Sequence, residues 1–203
     1  MNKYVLFSLI ATCLLSSCAT NTTDKGSDLH NSSCDSLQMS AEQMVNDTLW
    51  QLGSHCEFSL KDSASAYLYY KQSADMGNAI GYYMLGHALQ HGIGVEENAQ
   101  LSDEAYRKSV AMLNLLLDQN DEKGLLNFLG SAYYWGDGVP QDRTKAAQLY
   151  LRSAELGNPE TQYKIATCYE QGIGVDQDIN KAMYWYQESA KQGWPDAEKR
   201  LNQ

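Results

Sequence analysis

Two histidines of this 203-residue chain have the spacing of paired metal ligands. His87 and His91 are four residues apart, so on a helix their imidazoles would share one face. A protein metal site needs further ligands, and no third ligand is apparent nearby in the sequence. We therefore interpret the pair as part of a variable helix end, and we expect the chain to use neither a metal nor a cofactor.

The sequence contains none of the short motifs that mark common catalytic sites. There is no G-x-S-x-G nucleophile elbow and no S-x-x-K, H-E-x-x-H, G-x-x-x-x-G-K-[ST] or G-x-G-x-x-G. These absences predict that the chain is not an enzyme, although a helical array can assemble a site from residues distant in the sequence.

A G-x-G-V tetrapeptide occurs three times, and its recurrence indicates a structural repeat rather than a phosphate-binding loop. The intervals between its copies are 44 and 36 residues. Glycine adopts positive φ without steric cost, so a glycine pair lets the chain reverse tightly between two helices. The predicted repeat-turn glycines are Gly92 and Gly94, Gly136 and Gly138, and Gly172 and Gly174.

The segments on both sides of these turns repeat in register. The position shared before each turn holds Leu85, Leu129, Ile165 and Leu201. An alanine, a tyrosine, a Ser-Ala pair and a glycine recur in register. They follow the second and third turns, at Ala146, Tyr150, Ser153-Ala154 and Gly157 and at Ala182, Tyr186, Ser189-Ala190 and Gly193, and they occur 80 residues before the first of these sets, at Ala66, Tyr70, Ser73-Ala74 and Gly77. No single unit can bury its own apolar face, so at least three must stack. The pattern predicts an all-α fold, an α-solenoid of three to four helix-turn-helix repeats.

The segment LGSAYYWGDGVPQDRTKAAQLYLRSAELGNPE, from Leu129 to Glu160, resembles the Sel-1-like repeat, a relative of the tetratricopeptide repeat. The resemblance covers about residues 64–201. The first full unit departs from it, because its second helix (Leu101 to Gln119) carries eight extra residues, about two helical turns. Its apolar run Val110 to Leu117 is long enough to pack on something besides its neighbours. Some family members are described as β-lactamase-like and some carry a cysteine pair in each repeat, and this chain has neither S-x-x-K nor such cysteines.

The N-terminus has the features of a secretory signal. The apolar stretch from Tyr4 to Leu15 is too short to span a membrane and follows a positively charged start. The residues Leu-Ser-Ser-Cys ending at Cys18 are similar to a bacterial lipobox, which implies cleavage before Cys18 and its lipidation. An ordinary cleaved signal peptide that contains a cysteine is the alternative. Ala19 follows, with no Asp there to signal inner-membrane retention, so in a Gram-negative organism the resemblance implies the periplasmic face of the outer membrane.

We accordingly divide the chain into four parts: a lipoprotein signal peptide (1–17), a lipidated N-terminus and flexible tether (18–38), a degenerate capping repeat (39–63) and the repeat domain (64–203). The tether is rich in Asn, Thr, Ser and Asp, a composition that cannot repay the loss of chain entropy by burial.

Two cysteines remain outside the signal, the lipidation site and the repeat core. Cys34 lies near the tether and Cys56 at the end of the cap, and in an oxidising compartment we predict that they form a disulfide. Cys168 shares a register position with Ala88 and Ala132, which predicts a small core residue.

The charge balance restricts the class of partner. The formal net charge is −10, with 25 acidic and 15 basic residues, and no Lys/Arg cluster of the kind that neutralises phosphates occurs. Nucleic acid is therefore not an expected partner. The scattered acidic residues indicate solvated helix faces, with a negative groove that attracts a basic partner as the alternative. Candidate contact residues are the non-recurring Trp135 and Trp194 and, on the longer helix, Leu113 and Leu116.

These features favour a lipid-anchored scaffold of the bacterial cell envelope that binds an unidentified protein or peptide. The first helices of the repeats would line a concave face that accepts a peptide or helix. The alternatives are a β-lactamase-like or peptidoglycan-related enzyme, which covalent labelling by a fluorescent penicillin would reveal, and an immunity protein against a secreted toxin.

Overall fold

The computed structural model describes residues 48–117 and 123–202, and every regular element within them is helical. The signal peptide, Cys18, the tether, Cys34 and the start of the cap lie outside the described residues. The helices are α1 (Thr48–His55), α2 (Ser63–Asp75), α3 (Ala79–His91), α4 (Ala99–Leu117), α5 (Lys123–Trp135), α6 (Arg143–Glu155), α7 (Pro159–Gln171), α8 (Ile179–Lys191) and α9 (Pro195–Leu201), with a π-helical turn at Cys56–Leu60. The predicted all-α solenoid of helix-turn-helix repeats is confirmed.

Local sequence signals fix the ends of these helices. Asn78, Asp142, Asn158 and Asp178 each accept a hydrogen bond from the backbone N–H three residues later, which begins α3, α6, α7 and α8. The six turn glycines all have positive φ, between 66° and 86°.

Within the described residues, none of the helices is long and apolar enough to cross a membrane.

Three units pair their two helices through a buried serine. Ser109, Ser153 and Ser189 lie on the second helices and donate hydrogen bonds of 2.7 Å to carbonyl oxygens 30 residues earlier, at the start of the first helices. Ser109 belongs to α4, so the longer helix keeps the repeat register over its first part. Its additional residues therefore follow Val110, at the C-terminal end of the helix.

The second glycine of each turn connects successive units. A Cβ added to Gly94 or Gly174 would overlap the backbone carbonyl of Ser63 or Arg143, the first residues of α2 and α6. A Cβ added to Gly138 would instead overlap the peptide bond between Tyr106 and Arg107, whereas α4 begins at Ala99. The contact of the third unit is therefore displaced along α4 by about seven residues, or about 10 Å at 1.5 Å per residue.

The extended part of α4 contributes to the core as well as to the surface. Leu113 is fully buried among the apolar residues of the N-terminal half. The prediction that Leu113 contacts a partner is therefore wrong, because this side of the added turns faces inward and packs. Leu116 and the neighbouring Leu115 are exposed. Cys168 is buried in the C-terminal half.

Candidate partner-binding groove

A groove of about 500 Å³ lies along the first helices of three successive units, α3, α5 and α7. We call it the groove throughout. Its walls include Met84 and His87 of α3, Phe128 and Trp135 of α5, and Lys164 of α7. The sequence-based interpretation placed a partner on these first helices, and this is where the structure leaves space.

Part of the groove lining is aromatic. The Phe128 ring meets the edges or faces of Tyr83 and Trp50 at centroid distances of 5.4 and 5.5 Å. Two further rings, Phe58 and Trp135, project with 59% and 67% of their surface exposed. Edge-to-face packing holds the inner rings in place, so the groove presents a rigid apolar wall with two solvent-exposed rings at its margin.

The predicted contact residues do not all meet at this groove. Trp135 lines it and is exposed. Leu116 is exposed on α4, outside the groove lining. Trp194 is half-buried at the start of α9, also away from the groove, and its indole N–H is buried without a hydrogen-bond partner. Phe58, Met84 and Phe128 were missed, because their surroundings are formed by residues far apart in the sequence.

A compact polar cluster also lines the groove. The Lys164 ammonium lies 2.7 Å from the Glu160 carboxylate and donates to Asn127 Oδ1 at 2.8 Å and to Ser131 Oγ at 3.1 Å. Asn127 in turn donates to Glu160 at 3.0 Å, and the Tyr150 hydroxyl donates to Ser131 at 3.1 Å. Three acceptors therefore already surround the positive charge of Lys164.

A long-range hydrogen bond joins α3 to the turn that follows α5, and both residues line the groove. The Tyr83 hydroxyl of α3 donates to Asp137 Oδ2 at 3.0 Å, across 54 residues of sequence. Burial raises the pKa of the Asp137 carboxyl, while the Tyr83 hydrogen bond and the nearby His91 act in the opposite direction. Burial also raises the pKa of the Tyr83 phenol. The displacement of the third unit along α4 accompanies this contact, since Asp137 belongs to the displaced turn.

The two histidines lie together in the groove, as their spacing predicts. Their ring centroids are 4.6 Å apart. Burial, and secondarily His91, lowers the pKa of His87, against a smaller opposing effect of Glu57. Among the described residues, no three His, Cys, Asp or Glu side chains are arranged to hold a metal ion. The repeat equivalents of His87 are Ser131 and Thr167.

Acidification below about pH 6.5 is expected to destabilise the fold through His87. The folded-state pKa of His87 lies below its unfolded value of about 6.5. The unfolded chain therefore binds more protons below that pH, and stability falls as the pH decreases. The thermal midpoint should fall less between pH 7.5 and 5.5 in His87→Gln than in the wild type. Asp137 has the opposite dependence, because its folded pKa is raised, but it is common to both proteins. Equal falls would contradict the assignment to His87.

Comparison with known families identifies the repeat. The Sel1 repeat matches residues 48–78, 79–102, 126–158 and 159–194, which together exceed half of the chain. The chain belongs to the Sel1 repeat family. The predicted resemblance to Sel-1-like repeats of the tetratricopeptide-like superfamily is thereby confirmed. Sel1 repeat proteins typically mediate protein–protein interaction, and their fold is generally a non-catalytic interaction scaffold.

Solved structures similar to this Sel1 repeat protein come from several bacteria. A Sel1 repeat protein from Oxalobacter formigenes is 31% identical, over 66% of this chain and 96% of that chain, with a TM-score of 0.46. A protective antigen of uropathogenic Escherichia coli strains with an SLR fold is 24% identical, over 79% of this chain and 33% of that chain (TM-score 0.49). The cysteine rich protein B of Helicobacter pylori is 22% identical, over 70% and 96% (TM-score 0.41). No curated protein matches the chain.

The family assignment gives the groove its structural context. The four matched segments begin at α1, α3, close to α5, and at α7, so the groove lies on the first helices of Sel1 units two to four. The first match, 48–78, includes α1 and α2, where the π-helical turn and Lys61 at a φ of 59° stand in place of a glycine turn. Asp137 is the feature that sequence reasoning missed here, although the tetrapeptide Gly-Asp-Gly-Val already differs there from its two Gly-Ile-Gly-Val counterparts.

Proposed function

We propose that this Sel1 repeat protein is a lipid-anchored adaptor of the bacterial cell envelope that binds another protein through the groove. The observation that supports this best is the combination of exposed aromatic rings and fixed polar groups in one cavity on the first helices of three units. Protein-binding surfaces combine apolar anchors with a polar surround in this way.

The exposed rings supply enough apolar surface to anchor a partner. An aromatic side chain offers roughly 150–250 Å² of surface, and apolar burial contributes about 25 cal/mol per Å². Covering the exposed parts of Phe58 and Trp135 therefore contributes on the order of a few kcal/mol, before the entropic cost of association. A partner that covers both rings would gain from a wall that is already ordered.

The lipid anchor is supported by the sequence outside the described residues. The lipobox-like Leu-Ser-Ser-Cys ending at Cys18 would confine the protein to a membrane surface, on the periplasmic side of the outer membrane in a Gram-negative cell. The polar segment 18–38 would let the repeat domain reach a partner at some distance from that surface.

Site-specific photo-crosslinking tests the groove. A benzophenone amino acid at Trp135 is expected to capture a distinct protein in living cells, whereas the same group at Leu68 is not. Leu68 is a matched control because it is 60% exposed and lies on α2, away from the groove. In the captured complex, Trp135→Ala should weaken binding about tenfold or more, as for a typical interface anchor.

The same experiment examines the anchor. Cys18→Ser should release the protein from the membrane fraction and remove or weaken the Trp135 crosslink. Identical crosslinks from positions 135 and 68, or none from position 135, would contradict groove binding. A Cys18→Ser protein that stays in the membrane fraction would contradict lipid anchoring while leaving the groove unaffected.

A further inference from the structure

The second of the three glycine turns carries a carboxylate where the other two carry isoleucine. Asp137 occupies the position of Ile93 and Ile173, and both isoleucines pack against the apolar core of their half of the molecule. An aspartate loses this apolar packing, and its burial raises the pKa of its carboxyl. The repeat fold therefore does not require Asp137, and the residue is present at a cost to stability.

Among the described residues, few groups stabilise the negative charge of the Asp137 carboxylate. Tyr83 donates one hydrogen bond, to Oδ2. Lys164 is the one Lys or Arg among the described residues that lines the groove, and its ammonium is already surrounded by Glu160, Asn127 and Ser131. The Asp137 carboxylate is thus a partly buried negative charge without a Lys or Arg partner in this part of the chain, and the nearby basic group is His91, which lines the same groove. An external cation would supply what the groove lacks.

The neighbouring side chains suit a cation that carries an aliphatic stem. Trp135 and Phe58 expose their rings in the same groove as Asp137. An ammonium or guanidinium is attracted to the face of such a ring, and the methylene groups of Lys or Arg pack on apolar surface. Met84 and Phe128 line the adjoining wall and would receive an apolar side chain next to the basic residue.

We propose that the groove recognises a lysine or arginine side chain of the partner protein, flanked by an apolar residue. Its charge would pair with Asp137 and its stem would lie on Trp135. The inference rests on the proposed function and narrows it to a basic, apolar-flanked segment. The formal net charge of −10 favours the approach of such a segment over an acidic one.

Peptide selection on the intact protein tests this chemistry. Random-peptide phage display is carried out in parallel on detergent-solubilised full-length wild type and on Asp137→Asn. The variant keeps an acceptor for the Tyr83 hydroxyl and removes the charge. Wild type is expected to select peptides with Lys or Arg beside an apolar residue, and Asp137→Asn is expected to lose that enrichment.

Affinity measurements on a selected peptide then locate the contact. Replacing its basic residue with norleucine should weaken binding about tenfold to wild type and have little effect with Asp137→Asn, because the two changes remove the same charge pair. Binding to wild type should also weaken as salt increases. The thermal midpoint of Asp137→Asn should be no lower than that of wild type, since the change removes a partly buried charge, and this shows that the variant is folded.

Each contrary outcome separates the two proposals. Peptides that require Trp135 but show no excess of Lys or Arg would overturn this inference and leave the groove-binding proposal intact. An enrichment that persists unchanged with Asp137→Asn would also overturn it. Dimerisation of the protein that Asp137→Asn abolishes would assign the site to a second copy instead. If no selected peptide depends on Trp135, the groove-binding proposal fails together with this inference.

Discussion

Replacing Gly174 with alanine is expected to lower the free energy of unfolding by about 2–5 kcal/mol. Two costs add at this position. Gly174 has a φ of 70°, where an L-residue costs about 1–2 kcal/mol. Its added Cβ would also overlap the backbone carbonyl of Arg143, which cannot move without shifting α6, and such overpacking costs about 1–3 kcal/mol. Urea unfolding followed by circular dichroism measures the change.

Gly157→Ala is the matched control for this substitution. Gly157 has a φ of 82°, but a Cβ added there meets no atom within 4 Å. Its substitution should therefore incur only the backbone cost of about 1–2 kcal/mol. The difference between the two variants isolates the contact between successive units. Equal losses would mean that the close approach of Gly174 to α6 does not constrain the stacking.

Replacing Tyr186 with alanine is expected to lower the free energy of unfolding by about 3–5 kcal/mol, as for other large buried aromatic residues. Tyr186 is 1% exposed on α8, and its hydroxyl donates to Glu170 Oε2 at 2.9 Å. Tyr184→Ala on the same helix is the comparison, because Tyr184 is 54% exposed. Tyr184→Ala should lower the free energy of unfolding by no more than about 0.5 kcal/mol.

A third substitution separates the contribution of the Tyr186 ring to stability from that of its hydroxyl. Tyr186→Phe keeps the apolar packing and removes the hydrogen bond, so it should cost about 1 kcal/mol. The order of stability is then expected to be Tyr184→Ala, Tyr186→Phe, Tyr186→Ala, from most to least stable. If Tyr186→Ala were no worse than Tyr184→Ala, the recurrent tyrosine would not be the packing centre of its unit.

The repeat architecture could be predicted from the sequence because it depends on local and periodic signals. The recurring Tyr and Ser-Ala positions and the asparagine or aspartate helix starts act within one unit, and the glycine pairs recur at the turn of each unit. These signals can therefore be recognised in the sequence at regular intervals. Tyr106 and Ser109 of α4 belong to the same series, because they lie 36 residues after Tyr70 and Ser73. The longer interval of 44 residues follows them.

The groove could not be predicted in the same way, because its residues meet only through the stacking of units. Tyr83 and Asp137 are 54 residues apart and join because the third unit is displaced along α4. The same dependence on neighbours explains why Leu113 is buried while Leu116 is exposed on one apolar run. Periodicity indicates that a helix has an apolar face, but which residues a partner could reach depends on how many neighbours cover that face.

Helix α4 packs in two repeat units at once, so a change in its length would change how those units stack. It pairs with α3 within its own unit through Ser109, and it also receives the turn of the next unit at Tyr106 and Arg107. About seven residues advance a helix by about 10 Å and by almost two full turns. The second pair of units is therefore translated along α4 relative to an evenly spaced array, and it meets nearly the same face of that helix. Gain or loss of single helical turns in α4 could reshape the groove while both flanking blocks keep their internal packing, so such a protein could change partners by altering one helix.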